Sequence, residues 1–242
     1  MRIAFVSDIH SNLPALETVL ISIRKHKIDR IYCLGDIVGY GANPVECVKI
    51  IAETADKIVA GNHDWGVIGK TDFSRMSEKA RLAAIWTYSQ LAESDKVFLS
   101  KLPLTLHSGE TFLVHSTPAN PDKWEYFKSF DSPGLKKQLS VYNEQFCFLG
   151  HSHIPRIYDD TNAKIIPSDK PILLDPNRRY VINTGSVGQP RDGDPRSCYV
   201  IFDTEKKYIL YKRIEYDIEK ASSAILKSNL PAGLASRLFS GT

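Results

Sequence analysis

The sequence predicts an α/β fold, a parallel sheet with helices laid against it, and three observations carry that prediction. Residues 3–6, 30–34 and 57–60 are short apolar runs without alternation, the pattern of strands buried on both faces. The first two are each followed by a polar loop and then by a stretch with helical spacing, so strand, loop and helix recur in order. All three strands end in turns that carry Asp, His or Asn, and open α/β sheets place their binding sites at that carboxyl edge.

Leu13, Leu16, Leu20 and Ile23 mark a helix from residue 13 to about 25, with Asn12 placed to cap it and Pro14 in its first turn. A second helix, about 44–53, starts after Asn43. Residues 65–102 read as a helical insertion. Ala80, Ala83, Ala84 and Leu91 predict a helix over 77–91 capped by Ser77, and 95–101 forms another. The insertion reads either as part of a lid or as a layer packed on the sheet edge. Residues 104–107 and 112–115 flank Ser108-Gly109 as a hairpin, 132–142 is helical, and 146–149 is a buried strand ending in Gly150-His151-Ser152-His153. From 155 to 216 strands dominate, at 156–158, 172–174, 180–183, 198–202 and 208–214, separated by Pro, Gly, Asn and Asp turns. A helical, amphipathic segment at about 217–242 is broken at Pro231. Without a repeat or low-complexity tract, one domain over 1–242 is expected.

Composition argues against several function classes. The formal charge is +3 and no run of like charges exists, which opposes a nucleic-acid stripe or a membrane-binding tail. No stretch approaches the ~18 apolar residues of a membrane span. The opening apolar run is too short for a secretory signal and meets Asp8 at once. Cys33, Cys47, Cys147 and Cys198 are dispersed, and three of them lie in apolar strand runs, which reads as buried free thiols in a reducing compartment. The expectation is a cytoplasmic protein with a small-molecule substrate and no membrane or nucleic-acid partner; a homo-oligomer is left open.

The strand ends carry the chemistry. Asp8 and His10 follow the first strand, Asp36 the second, and Asn62 and His63 the third; His115 ends the hairpin, and His151 and His153 end the strand at 146–149. Five of the seven histidines therefore fall at strand ends; His26 and His107 do not and read as structural. Carboxylate and imidazole without thiolate suit manganese, iron, zinc, cobalt or nickel rather than magnesium or calcium alone. The set exceeds the four ligands of a closed structural zinc site. It points instead to two metals sharing a bridge, an arrangement used in phosphoryl transfer. A carboxylate can offer one oxygen to each ion, and Asp36 is the natural bridge.

In order and approximate spacing, Asp8-x-His10, Gly35-Asp36, Gly61-Asn62-His63-Asp64, a lone His115 and Gly150-His151-x-His153 resemble the signature of the calcineurin-like metallophosphoesterase superfamily, over residues 8–153. Gly39-Tyr40-Gly41 and residues 183–191 resemble its small prokaryotic phosphodiesterase branch, itself similar to diadenosine tetraphosphatases and bacterial protein phosphatases. The resemblance implies a four-layer α-β-β-α sandwich of two mixed sheets flanked by helices. It implies Asp8, His10 and His153 on one metal, Asn62, His115 and His151 on a second, and Asp36 on both, with manganese the first candidate. It also implies that His63 faces the substrate and protonates the leaving oxygen, with Asp64 orienting it.

Asp64 reads equally as a helix N-cap. Arg191, in a Gly-rich loop, reads as a phosphate contact or as a solvated turn residue. Asn12 reads as a phosphate contact or as a helix cap. Tyr40 and Trp65 flank the motifs as candidate stacking rings, with core packing the alternative. The expected function is a binuclear-metal phosphoesterase, a phosphodiesterase on a small or nucleotide-like substrate ahead of a phosphomonoesterase or protein phosphatase. The rivals are a catalytically silent binding scaffold, a nuclease and a structural metal site. The complete ligand set opposes the first, the near-neutral charge the second, and the ligand excess the third.

Overall fold

The computed structural model describes all residues except 73–75, 128–131, 162–163 and 166. In the first sheet β1 (Arg2–Val6) pairs in parallel with β2 (Arg30–Cys33), and β2 in parallel with β3 (Lys57–Ile58). On its other side β1 runs antiparallel to β11 (Ser197–Asp203), with Ile3 opposite Phe202. β12 (Tyr208–Ile214) and β9 (Ile172–Leu173) complete the six strands. The all-parallel sheet suggested by the first three strands is thus closed by antiparallel strands from much later in the chain. The third strand is also shorter than its apolar run, because Ala60 N–H turns away to Pro103 O at 2.7 Å.

The second sheet has the order β4 (Thr105–Ser108), β5 (Thr111–Val114), β6 (Phe146–Leu149), β10 (Tyr180–Asn183), β7 (Arg156–Asp159) and β8 (Lys164–Ile165). β5, β6 and β10 are parallel, and the outer strands are antiparallel. Both sheets are therefore mixed.

Continuous apolar strands put alternate residues into different cores. On β1, Ile3 and Phe5 enter the space between the sheets, whereas Ala4 and Val6 face helices. On β6, Phe146 and Phe148 point between the sheets and Cys147 and Leu149 point outward. The inter-sheet core is aromatic: Phe5 and Phe148 stack with ring centres 3.7 Å apart, and Phe202 leans on both Phe146 and Phe148. α1 (Leu13–Arg24) and α2 (Pro44–Thr54) cover the first sheet's outer face, where Leu16, Val19 and Ile51 meet Val6 and Tyr199. α6 (Ser132–Leu139) covers the second sheet, with Leu135 and Leu139 against Phe112 and Cys147. This makes the four layers α-β-β-α. Truncating Phe148 to Ala should cost about 3–5 kcal/mol, read from the urea midpoint. A cost under ~1 kcal/mol would mean that the sheets do not depend on this aromatic contact.

α3 (Asn62–Val67) begins at the third strand's turn, and α4 (Glu78–Gln90) and α5 (Glu93–Lys101) pack on α2 and α3. They extend the helical layer. Ser77 caps α4 through Ala80 N–H at 3.3 Å. α7 (Ile218–Lys227) and α8 (Ala232–Ser240), separated at Pro231, pack on each other and on Ala83 of α4, with Tyr40 at their edge. Among the described residues no helix is long and apolar enough to cross a membrane. All four cysteines are free and buried.

Candidate metal centre

The turns that follow β1, β2 and β6 hold Asp8, His10, Asp36, His151 and His153 with φ between 50° and 66°. The left-handed region costs a non-glycine residue about 1 kcal/mol or more. That five candidate ligands share it means the surrounding backbone forces it. Asp8 N–H donates to Gly35 O and His10 N–H to Asp36 O, both at 3.0 Å, so the first two turns lock together. The loop after β10 braces them from behind: Val187 N–H donates to Ser7 O, Gly188 N–H to Asp8 O, and the Ser186 hydroxyl to Asp8 O. Gly61 is required by closeness, since a Cβ there would fall on the Asp36 carboxylate and backbone nitrogen.

Two groups of buried donors result. In Asp8, His10, Asp36 and His153 the candidate ligand atoms all lie within 4.8 Å of one another, and so do those of Asp36, His115 and His151. Asp36 belongs to both. Asn62 Oδ1 is 3.2 Å from His115 Nε2, which brings it to the second group. The seven residues predicted as ligands are thus gathered in one place.

The tautomers are set by the backbone. Nδ1 of His10, His115 and His153 lies 3.2, 2.7 and 2.5 Å from the carbonyl oxygens of Val38, Leu34 and Gln189. Nδ1–H donates in each case, which turns Nε2 toward the cluster and, in the neutral ring, leaves it as a bare lone pair. His151 is reversed: its Nε2–H donates to Trp124 O at 2.9 Å, and Nδ1 is the free nitrogen. His10 Nε2 and His153 Nε2 stand 3.1 Å apart, and His153 Nε2 is 3.2 Å from Asp8 Oδ1. Two facing lone pairs beside a carboxylate repel unless a cation lies among them, so the donor set fits a metal.

The charges agree. Burial pushes the Asp8 carboxyl up to about 7. Burial would also raise Asp36, but the imidazoles of His115, His63 and His10 hold it well below the usual carboxylate range. Burial drives His10 and His153 well down, and His151 to about 3, so they are neutral donors at pH 7. His115 is the exception: burial opposes its charge, yet Asp36 and Asp8 lift it to about 9, so its ring is protonated at pH 7 and Nε2 becomes a donor only when a cation takes the place of that proton.

Of the other predicted residues, His63 sits beside the cluster, its ring centre 4.9 Å from that of His10 and 4.4 Å from that of Tyr40. Its backbone N–H donates to Asp36 Oδ1 at 2.8 Å, and its buried Nδ1 has no partner among the described residues. Burial lowers it to about 4. Asp64 does not hold His63. Its carboxylate accepts from the backbone N–H of Asp36, Ile37, Val38 and Gly61 at 2.9–3.2 Å, clamping the β2 turn to the start of α3. That corrects the expectation that it orients the histidine, and it goes further than a simple N-cap. Asn12 is likewise committed elsewhere: its oxygen caps α1 at Ala15 N–H and its amide donates to Gly188 O at 2.8 Å. Tyr40, at φ 56°, packs on His10 and His63. Arg191 places its guanidinium carbon 5.7 Å from the Tyr40 ring centre; its Nη2 donates to Gln189 Oε1 at 2.7 Å, and among the described residues nothing accepts from its buried Nε. Trp65 packs edge-on to Trp124 and against the helical core.

Sequence reasoning missed Trp124 and Tyr126. The carbonyl of Trp124 fixes His151, and the Tyr126 ring stacks on the His151 imidazole at 4.3 Å while 46% exposed. Both border an open cleft of about 830 Å³ whose floor includes Asn62 and His151. Neither stands in a strand-end motif, so no local signal marked them.

A family model described as the calcineurin-like phosphoesterase superfamily domain matches residues 1–207. The uncharacterized protein MJ0912 of Methanocaldococcus jannaschii is 42% identical over 243 residues, covering 99% of this chain and 98% of that protein. Phosphodiesterase YfcE of Escherichia coli is 24% identical over 215 residues, 85% of this chain and 89% of that one. The crystal structure of a metallophosphoesterase from Sphaerobacter thermophilus superposes with a TM-score of 0.89 at 37% identity, covering 100% of this chain and 99% of that chain.

Proposed function

The chain belongs to the calcineurin-like phosphoesterase superfamily, and on that premise we propose that it hydrolyses phosphodiesters of small or nucleotide-like alcohols with two divalent transition-metal ions. One observation carries the proposal: two buried donor groups share Asp36. In this reading Asp8, His10 and His153 hold one ion, Asn62, His115 and His151 the other, and Asp36 both. Manganese is the first candidate, and iron, zinc, nickel and cobalt suit the same donors. Such ions supply an acidified water at neutral pH and draw off charge from phosphoryl oxygens.

The rest is the work of the chain. The carbonyls of Val38, Leu34, Gln189 and Trp124 aim the four imidazoles. His63, kept neutral by burial, donates a hydrogen bond to the leaving oxygen, and the negative charge of bound phosphate raises its proton affinity toward that of a general acid. The free Nε of Arg191 meets a non-bridging oxygen. A diester is favoured over a monoester because space lies on both sides of the cluster, the cleft at Tyr126 and the flank at Tyr40. The relationship to a phosphodiesterase supports the same choice. The buried free thiols suit a cytoplasmic location.

The test is hydrolysis of bis-p-nitrophenyl phosphate beside p-nitrophenyl phosphate after Mn²⁺ is returned to metal-stripped protein. The diester should be cleaved faster, and His63→Ala should lower kcat by about 10²–10⁴-fold while leaving metal content unchanged. Faster monoester cleavage would replace the reading with a phosphomonoesterase, and metal-loaded protein inert toward both would favour the binding scaffold.

A further inference from the structure

Beyond Tyr40, on the side away from the metal ligands, the chain places two cations, Arg237 and Lys79, that the proposed chemistry does not use. Tyr40 packs on His10 and His63 with one part of its surface. With another it lines a cavity of about 250 Å³ together with Ser77, Lys79, Gly233, Arg237 and Thr242. Arg237 comes from α8, and Lys79 from the first turn of α4. A Cβ at Gly233 would stand 2.5 Å from Lys79 Nζ, so the ammonium rests on the first turn of α8. That end of a helix repels cations. Arg237 is half-buried; its Nε donates to Thr242 O at 2.6 Å, and among the described residues nothing accepts from its two Nη groups. Burial and the neighbouring Arg191 push its pKa down.

Among the described residues neither Arg237 nor Lys79 pairs with an Asp or Glu side chain, although the surface elsewhere pairs Arg196 and Arg213 with Asp194 and Asp192. Two like charges at a concavity, with no Asp or Glu side chain paired to them among the described residues, form a site for an anion. We propose that Arg237 and Lys79 form a second anion subsite, which takes a phosphate group carried by the leaving alcohol of the substrate. The assignment to the leaving side rests on the proposed function: His63 donates to the leaving oxygen, and His63 lies against Tyr40. The substrate class is then a phosphodiester whose alcohol bears a further phosphate. Water adds at phosphorus, the ester P–O bond breaks, and the leaving alcohol departs with its own phosphate still attached.

Two measurements test this, and only one involves turnover. In calorimetric titration of the metal-loaded full chain, inorganic phosphate should fill two sites. Arg237→Gln with Lys79→Gln should weaken one of them by about tenfold or more, the worth of a lost charge-assisted contact, and spare the other. Arg237→Lys should recover part of that affinity, and metal content and melting temperature should match wild type. One site in the wild type, or two sites indifferent to the double substitution, overturns the subsite whatever the enzyme cleaves. In the second measurement, Arg237→Gln should lower kcat/KM for a dithymidine phosphodiester bearing a terminal phosphate about tenfold more than for the same diester without it, through KM. Equal losses on both substrates overturn the proposal. A wild-type protein that cleaves neither diester defeats the functional reading instead, and the phosphate titration then still decides the subsite.

Discussion

Asp36→Asn should abolish phosphodiester hydrolysis, with kcat down by at least about 10³-fold and metal content down with it. Asp36 is the one residue common to both donor groups. Its Oδ1 accepts the His63 N–H at 2.8 Å, while Oδ2 lies 3.3 Å from His115 Nε2 and 3.6 Å from His10 Nε2. An asparagine has the same shape but one acceptor and no charge. Either its NH₂ faces the His63 N–H, donor against donor, or it faces the imidazoles and withdraws the shared anionic oxygen. Both orientations lose an ion's worth of charge in a buried site, several kcal/mol at the transition state. Turnover is measured with bis-p-nitrophenyl phosphate, metal by elemental analysis, and fold by the far-ultraviolet spectrum. Wild-type turnover in a folded Asp36→Asn protein would sink the shared-ligand reading.

Asp64→Ala should cost about 4 kcal/mol or more of stability, the second large effect. Four backbone N–H groups converge on this carboxylate, which is fully buried. Each buried donor left without a partner costs about 1–3 kcal/mol. A domain's whole stability is about 5–15 kcal/mol, so much of it would go. Asp64→Asn keeps an acceptor and should fall between. Urea unfolding of the two variants measures the costs. A destabilisation under ~1 kcal/mol with loss of activity would return Asp64 to the catalytic role first expected of it.

Asp64 also shows where reading the sequence stops. The motif Gly61-Asn62-His63-Asp64 announced a site, and strand-end placement grouped Asp8, His10, Asp36, Asn62, His115, His151 and His153 before any fold was known. That grouping was legible because a buried strand ending in a polar turn is a local pattern. Three of the four partners of Asp64 are 26–28 residues away on another turn, and nothing local names them. Tyr126 and Arg237 are hidden for the same reason: one arrives from an irregular segment, the other from the last helix. The fold followed a similar rule. Every strand but the two-residue β8 was visible in the sequence, but the choice of sheet was not. The antiparallel partner of β1 is almost two hundred residues further on, and β9 is only two residues long. Helix α4 was found by its alanines, though Leu82, Ile85 and Tyr88 on its outer side are exposed, which blurs any apolar stripe.

The pairing of β1 with β11 has a kinetic consequence. Asp8 and His10 are among the earliest residues in the chain, yet their turn is held by Ser186, Val187 and Gly188. Closing that loop fixes about 180 residues of intervening chain, and contacts of such separation form late and slowly. The β1–β2–β3 unit is local and can assemble early, but without β11 and the 186–188 turn its ligands lack the backbone that forces their left-handed conformation. Metal affinity should therefore appear only in the last phase of refolding, after most of the secondary structure, and a metal-sensitive dye would report the closing of the first sheet.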